Sequence, residues 1–197
     1  MKFTAKLILA SQSPRRKAIL RFAGIPFQVI KPRGVVERHK PGESPSRMAS
    51  RLALEKAMAV AKRAPQSLVL GADTVVVCQG KIFGKPRDRA QARRMIRCLE
   101  GRPHLVWTGV ALVGKRAGVV LSHAEKTKVL FRKLGSQERE DYLKTAEPYD
   151  KAGAYAIQGT ARKWVEKWAG DYFNVMGLPL RWVVEETNRL LNRSRRF

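Results

Sequence analysis

The stretch of sequence that decides the fold is Leu68-Val69-Leu70-Gly71-Ala72-Asp73-Thr74-Val75-Val76-Val77. Its β-branched apolar residues predict a buried strand, which Gly-Ala-Asp-Thr interrupts in the middle. A carboxylate inside such a run is costly unless it is paired, hydrogen-bonded or bound to a metal. Asp73 is therefore expected at the centre of a site, with Gly71 allowing a bend or a close backbone approach. The alternative is that Asp73 caps a loop between two shorter strands.

Before this stretch, the sequence predicts a strand over Lys6–Ala10, followed by a helix that Ser13 caps through its side chain and that begins at Pro14. Ile19 and Phe22 belong to the apolar stripe of this helix, and Arg15 and Arg16 lie in its first turn. Cations oppose the helix dipole at that end, so a bound polyanion is the expected explanation. Two arginines pointing into solvent are the alternative.

A second helix is predicted from Pro45 to Arg63, after a Pro-, Gly- and Arg-rich loop that carries Glu37. Lys56 occupies the inward row of this helix. The lysine is expected either to snorkel past the edge of the core or to point at a bound anion. The apolar pattern of the helix fits both alternatives equally well.

The rest of the chain continues the alternation of strands and helices. A hairpin over Val75–Phe83 runs into Gly84-Lys85-Pro86, whose spacing is not that of a P-loop. Further segments are predicted as a helix over Asp88–Leu99, strands over His104–Val113 and Val119–Lys133, a helix from Ser136, a strand over Trp164–Trp168, and a helix over Leu178–Leu191. This pattern predicts an α/β protein.

Length and composition favour one domain over residues 1–197 in the cytoplasm. No apolar run approaches the roughly 18 residues of a membrane span, and the N-terminal apolar block is too short for a signal peptide. Cys78 and Cys98 stand alone in the sequence and are predicted to be reduced packing residues. Because the histidines lack ligand-like spacing, zinc is not expected.

The net charge is unusual, with 40 Lys and Arg against 16 Asp and Glu, a balance of +24. Such a surplus suggests a polyanionic partner, nucleic acid first. The basic residues are nevertheless spread along the chain without interleaved aromatic residues. Solvated basic faces that also attract phosphates are therefore the favoured interpretation, and a basic nucleic-acid-binding or regulatory protein is the alternative.

Several residues form a candidate site for a phosphorylated substrate with a hard divalent cation: Arg15, Arg16, Glu37, Lys56, Asp73, Lys85 and Gln158. Hydrolysis of a phosphoanhydride requires neutralised phosphate charge and a positioned water molecule. Asp73 is the natural base, although its carboxylate is equally suited to be a metal ligand. No nucleophile elbow is present, so covalent acyl chemistry is poorly supported.

The whole chain resembles the Maf family of nucleoside triphosphate pyrophosphatases. The resemblance rests on five segments in the same order: Leu9–Arg16, Gly71–Thr74, Gly84–Pro86, Asp150–Gly159 and Gly170–Leu180. It implies an α/β fold with a long mixed, twisted sheet and flanking helices, with two lobes around a central cleft as in inosine-triphosphate pyrophosphatases. It also implies a homodimer and cleavage between the α- and β-phosphates with Mg²⁺ or Mn²⁺.

Three positions distinguish the branches of this family. The dTTP/UTP branch has Arg, Thr and Gln there, and the 7-methyl-GTP branch has Trp, Gln and Glu; this chain has Arg15, Thr74 and Gln158. The resemblance therefore implies hydrolysis of dTTP and UTP, canonical or modified. It further implies the following roles: Asp73 as proton acceptor, Ser11, Arg16, Lys56 and Lys85 against the phosphates, and Glu37 and Asp73 toward the metal.

Overall fold

The computed structural model describes the backbone of residues 7–195 and the side chains of residues 7–191. The strands are β1 (Leu7–Leu9), β2 (Phe27–Val29), β3 (Leu68–Cys78), β4 (Lys81–Phe83), β5 (Pro103–Gly114), β6 (Val119–Phe131) and β7 (Val165–Ala169). The α-helices are α1 (Pro14–Phe22), α2 (Pro45–Ala61), α3 (Arg89–Leu99), α4 (Ser136–Lys144), α5 (Tyr172–Met176) and α6 (Leu180–Arg195). Short 3₁₀ turns lie at residues 115–117, 147–150, 152–154 and 160–164.

The strands form one seven-stranded sheet in the order β2-β1-β3-β5-β6-β7, with β4 paired to β3 outside this path. β1 runs parallel to both β2 and β3, whereas the β3–β4 and β6–β7 pairs are antiparallel. The sheet is therefore mixed and the predicted α/β class is confirmed. The predicted N-terminal strand is present as β1; Lys6, with which it was expected to begin, lies outside the described residues.

The decisive stretch is one continuous strand of 11 residues, nearly all of them buried. Asp73 lies in its middle, so the alternative of a loop between two shorter strands is wrong. The following hairpin turn is made by Gln79 and Gly80, which both have positive φ angles (49° and 72°). Two such residues in succession are typical of the tight turn that matches the twist of antiparallel strands.

The chain divides into two compact units, in agreement with the predicted two lobes. Unit 1 takes in the chain up to Asp73, then Thr108–Glu125, then the chain from Gly177 onward; unit 2 takes in Thr74–Trp107 and Lys126–Met176. β3, β5 and β6 each contribute residues to both units. The single domain over residues 1–197 and the cleft between lobes stay predictions.

The core of unit 1 is formed where α2 packs on the sheet through small residues. Ala53 and Ala57 of α2 are fully buried in a cluster with Ile8, Val69 and other apolar residues of the strands. An added Cβ at Gly71 would lie 2.8 Å from the Ala57 backbone nitrogen. The helix backbone therefore approaches β3 more closely than any side chain larger than hydrogen would allow.

The core of unit 2 is an aromatic cluster around a buried histidine. His104 packs edge-on against Phe131 and Tyr155, with ring centroids 4.8 and 5.4 Å away. Phe131 in turn packs edge-on against Trp164, and His104 Nε2 lies 2.9 Å from the Tyr155 hydroxyl. Burial lowers the pKa of His104 to about 4, so this histidine is neutral at pH 7.

Two expectations about α1 need correction. Ser13 holds the N-cap position but its side chain makes no capping hydrogen bond; its backbone N–H instead donates to Ser11 Oγ at 3.2 Å. The inward residues of the helix are Ile19 and Leu20, whereas Phe22 is exposed. A nine-residue helix covers little of the sheet, so only part of its apolar stripe is buried.

Candidate active site

Asp73 is buried in the middle of β3, with 6% of its surface exposed, and it is ion-paired with Lys56, which is 8% exposed. The Lys56 ammonium donates a short hydrogen bond to Asp73 Oδ1. The same Nζ atom lies 2.5 Å from Glu37 Oε1. One buried cation thus lies between two carboxylates. Its charge offsets the free-energy cost of burying the Asp73 carboxylate.

Lys56 reaches this position because α2 is anchored at its start and packed tightly in its middle. The Ser44 hydroxyl accepts a hydrogen bond from the Arg47 backbone N–H at 3.3 Å and caps the helix. The close approach at Gly71 then brings the inward row of α2 onto β3. Snorkelling of Lys56 into solvent is therefore wrong; a bound anion near it stays a prediction.

A second group of predicted site residues lies at the end of β1 and the start of α1. Arg16 Nη1 donates to Ser11 Oγ at 3.1 Å, and Arg16 Nε donates to the Gly177 carbonyl at 2.7 Å. The guanidinium is thus held by two elements of unit 1 that are far apart in the sequence. Arg15 is partly exposed beside it.

Arg16 interacts electrostatically with the Lys56–Asp73–Glu37 group. Burial raises the pKa of the Asp73 carboxyl, and the positive charges of Lys56 and Arg16 oppose that rise. Burial likewise lowers the pKa of the Arg16 guanidinium, while Asp73 and Glu37 act in the opposite direction. Arg16, Lys56, Asp73 and Glu37 therefore form one interacting set in unit 1.

The remaining predicted site residues, Thr74, Lys85 and Gln158, belong to unit 2. Lys85 is exposed, and its neighbour Gly84 accepts a hydrogen bond from the Gly153 N–H at 3.1 Å. The Lys85 loop and the turn that leads toward Gln158 are thus joined. Thr74 directly follows Asp73 on the strand, so the two side chains point to opposite faces of the sheet.

Glu147 supports the loop that carries Gln158, and no motif or periodicity in the sequence singles it out. Its Oε2 accepts a hydrogen bond from the Thr160 N–H at 2.9 Å, and its Oε1 accepts one from the Tyr142 hydroxyl at 3.3 Å. An added Cβ at Gly159 would clash with this carboxylate. Glycine is therefore required beside Gln158 for Glu147 to stay in place.

Arg51 and Glu43 are also functional candidates that the sequence interpretation missed. They form a two-pronged ion pair that ties the Glu37 loop to α2, with Arg51 Nε 2.6 Å from Glu43 Oε1. In the sequence, only Glu55 points to a role for Arg51, because it follows four residues later, at the spacing of a helical ion pair.

Comparison with known proteins shows the family of the chain. The family model described as Maf-like protein matches residues 6–190. This chain belongs to the Maf family. The predicted resemblance is therefore confirmed over nearly the whole length of the chain.

The Maf protein has many curated relatives. A dTTP/UTP pyrophosphatase of Symbiobacterium thermophilum is 50% identical over 180 residues, which cover 91% of each chain. Proteins of the same name from Citrifermentans bemidjiense and Koribacter versatilis are 48% and 49% identical, over 92% and 88% of this chain and 93% and 89% of theirs. These relatives confirm the predicted enzyme class, a hydrolase of the nucleotide pyrophosphatase kind.

A solved structure of a HAM1 protein from Coxiella burnetii covers 96% of the Maf chain and 100% of its own, with 11% identity and a TM-score of 0.48. Among the described residues, no helix is both long enough and apolar enough to span a bilayer. The same residues contain no group of three or more His, Cys, Asp and Glu side chains placed to hold a metal ion.

Proposed function

We propose that this Maf protein hydrolyses dTTP and UTP, canonical or modified, to the nucleoside monophosphate and pyrophosphate. The observation that carries the proposal is the Lys56 ammonium lying between the carboxylates of Asp73 and Glu37. Such a set can hold a divalent cation and a water molecule against phosphate groups. The name shared by the curated relatives supports the choice of dTTP and UTP.

In the proposed reaction, a water oxygen bonds to the α-phosphorus. The bond from the α-phosphorus to the α–β bridging oxygen breaks, and pyrophosphate leaves with the electron pair. Asp73 accepts the proton of the attacking water. A base is most effective when its pKa is close to the working pH, and burial raises the pKa of Asp73 in that direction.

The phosphate groups are proposed to bind to the basic residues of the site. Arg16 and Lys56 already interact with Asp73, so their charges lie close to the atom that would receive the proton. Ser11 offers a hydroxyl beside Arg16. Lys85, on an exposed loop of unit 2, is proposed as a further phosphate ligand because it stands at the position that has this role in the family that the chain resembles.

A divalent cation, Mg²⁺ or Mn²⁺, fits the donor set of unit 1. Glu37 and Asp73 already direct one carboxylate oxygen each at a single positive group, the Lys56 ammonium. Magnesium prefers one or two carboxylates with substrate phosphates completing its shell. These two residues would hold the ion, whose chemistry would be to neutralise charge on the phosphates.

Selection of the base is proposed to fall to Arg15, Thr74 and Gln158. Thr74 is proposed for base selection because the dTTP/UTP branch that the chain resembles has threonine at this position. Gln158 offers an amide with both a donor and an acceptor, which suits the polar edge of a pyrimidine.

The experiment measures pyrophosphate release from dTTP, UTP, CTP, dGTP and 7-methyl-GTP with Mg²⁺ or Mn²⁺. We expect dTTP and UTP to be the best substrates, and Asp73→Asn to remove most turnover without unfolding the protein. The matched control is Asp141→Asn, an exposed aspartate on α4. Preference for 7-methyl-GTP would show that the branch assignment is wrong, and turnover that survives Asp73→Asn would remove Asp73 as the base.

A cationic cluster in unit 1 favours nucleic-acid binding as a second candidate function. Arg63 Nη2 donates to the Lys31 carbonyl at 2.7 Å, and the Arg116 N–H donates to the Pro65 carbonyl at 3.1 Å. Three basic segments therefore meet, and none of the residues 56–72 or 101–124 is acidic. Binding to a DNA or RNA oligomer should then weaken steeply with salt. Wild-type protein that shows no binding at physiological salt would rule this function out.

The homodimer is proposed from the family resemblance, and the single domain and the cytoplasmic location are proposed from length and composition. Sedimentation analysis of the purified protein tests the dimer, since a monomer at micromolar concentration would contradict it. Fractionation of cells that express the full chain tests the location. A single cooperative unfolding transition, followed by two spectroscopic probes, tests the single domain.

A further inference from the structure

Arg51 on α2 makes more hydrogen bonds than its place on a helix surface requires. Its guanidinium donates four of them: Nε to Glu43 Oε1 at 2.6 Å, Nη2 to Glu43 Oε2 at 2.8 Å, Nη2 to the Arg38 carbonyl at 2.8 Å, and Nη1 to Glu55 Oε1 at 3.0 Å. Three of these four bonds are to the loop that joins β2 to α2. The arginine therefore ties that loop to the helix.

We call the Arg51–Glu43 pair the clamp. On the loop, Glu43 makes most of its contacts. Its Oε2 also accepts a hydrogen bond from the Lys40 N–H at 3.3 Å, and its backbone carbonyl lies 2.8 Å from His39 Nε2. The hydrogen bonds from Arg51 lower the pKa of Glu43 to about 2, so its carboxylate is charged at any working pH. Only 10% of the Glu43 side chain and 19% of the Arg51 side chain are exposed.

Glu37 lies on the same loop, immediately before the residue whose carbonyl Arg51 binds. The Arg38 N–H donates to the Val36 carbonyl at 2.9 Å, which places Glu37 at the centre of a tight turn. The Glu37 side chain is 48% exposed, yet its carboxylate reaches the buried Lys56 ammonium. A half-exposed side chain on a loop keeps such a position when the backbone beneath it is held.

We propose that Arg51 is a positioning residue, which through Glu43 and the Arg38 carbonyl holds the loop so that Glu37 faces Lys56 and Asp73. Arg51 and Lys56 both lie on α2. The hydrogen bonds of Arg51 therefore hold the loop against the same helix that carries the buried Lys56 ammonium. The consequence for catalysis rests on the proposed function. The holding of the loop does not depend on it.

Arginine is required at this position because of its geometry. Its planar fork binds both oxygens of the Glu43 carboxylate and still reaches the Arg38 carbonyl. A lysine has a single nitrogen atom and cannot make this arrangement, although it keeps the charge. Arg51→Lys should therefore loosen the loop without removing the positive charge.

The test compares Arg51→Lys and Glu43→Gln with the matched control Glu140→Gln. In unit 2, Glu140 accepts a similar two-pronged pair from Arg93, at 2.7 and 2.5 Å, and its pKa is also lowered to about 2. Hydrogen exchange of the amides of residues 36–43 is measured without substrate, and kcat and KM for UTP are measured alongside. Both clamp variants should exchange roughly tenfold faster in this segment, and the control should not.

The same variants should lower kcat by roughly tenfold to a hundredfold, because misplacement of a reacting group by about 1 Å has that effect. A double-mutant cycle separates positioning from general loss of structure. In a Glu37→Gln background, Arg51→Lys should cost no further kcat, since the group that it positions is already gone.

Unchanged exchange in residues 36–43 would overturn the proposal, and so would unchanged kcat in the clamp variants. Additive losses in the Glu37→Gln background would show that Arg51 acts through some other group. A wild-type protein that releases no pyrophosphate would instead refute the proposed function. The exchange measurement would then still decide whether Arg51 holds the loop.

Discussion

Replacing Gly71 by alanine tests the link between the fold and the site. An added Cβ at this position would lie 2.8 Å from the Ala57 nitrogen and 2.9 Å from Ala57 Cβ, and closer still to the Ala53 carbonyl oxygen. All of these atoms belong to the α2 backbone or to its first side-chain atom. None of them can rotate away, so β3 and α2 must move apart.

The size of the effect follows from these distances. Carbon atoms at ordinary contact are about 3.5–4.0 Å apart, so the two elements must separate by roughly 1 Å. Overpacking of this kind costs about 1–3 kcal/mol of unfolding free energy, and contact with backbone places Gly71→Ala at the upper end of that range. Because α2 carries Lys56, the same shift should lower turnover by up to about 100-fold.

Urea unfolding and pyrophosphate release measure the two consequences. The matched control is Gly135→Ala, since an added Cβ there would meet nothing within 4 Å and the glycine has no positive φ angle. We expect the control to turn over like wild type and to lose less than about 1 kcal/mol of stability, since Gly135 is the N-cap residue of α4 and alanine is the poorer cap. A Gly71→Ala protein with wild-type stability would refute the close packing of α2 on β3, and one with wild-type turnover would refute the dependence of the site on that packing.

Three further predictions concern unit 2. His104 is neutral in the fold with a pKa of about 4, against an ordinary value of 6.5, so stability should be lost as the pH falls from 6.5 toward 4. Urea unfolding should give a loss of about 2 kcal/mol between pH 7 and 4.5 that His104→Phe removes. Asn174 Nδ2 donates to the buried Val106 carbonyl at 3.1 Å, so Asn174→Ala should cost about 1–3 kcal/mol in the same assay. Gly159→Ala should displace the Glu147 carboxylate and so lower the preference for UTP over CTP, measured as the ratio of kcat/KM values. An unchanged ratio would show that this loop does not contribute to base selection.

The order of strands and helices could be predicted from the sequence because each element carries its own periodicity and its own stop signals. α2 begins at Pro45 as predicted, and α3 begins after Asp88, whose side chain caps it by accepting a hydrogen bond from the Gln91 N–H at 2.6 Å. The exposure of Phe22 could not be predicted in this way. A short helix has more apolar positions than its one contact face can cover, and only packing determines which of them are buried.

The candidate site was predictable as a set of residue types but not as a geometry. A buried carboxylate in the β3 run, with basic residues elsewhere, indicates that charges must meet, and the family motifs indicate which ones. The pairing of Lys56 with both Asp73 and Glu37 depends on how closely α2 packs on the sheet. The Arg51–Glu43 clamp was missed because its members are ordinary charged residues in the sequence.

By itself, the sequence determined the α/β class, the apolar run around Asp73, the family and the list of charged candidates. These are local properties, since propensity, periodicity and motif spacing act over neighbouring residues. Only the tertiary structure decided which charges are paired, because residues such as Glu37, Lys56 and Asp73 meet through the packing of a loop, a helix and a strand. A buried carboxylate must find a partner, but the choice of partner belongs to the fold.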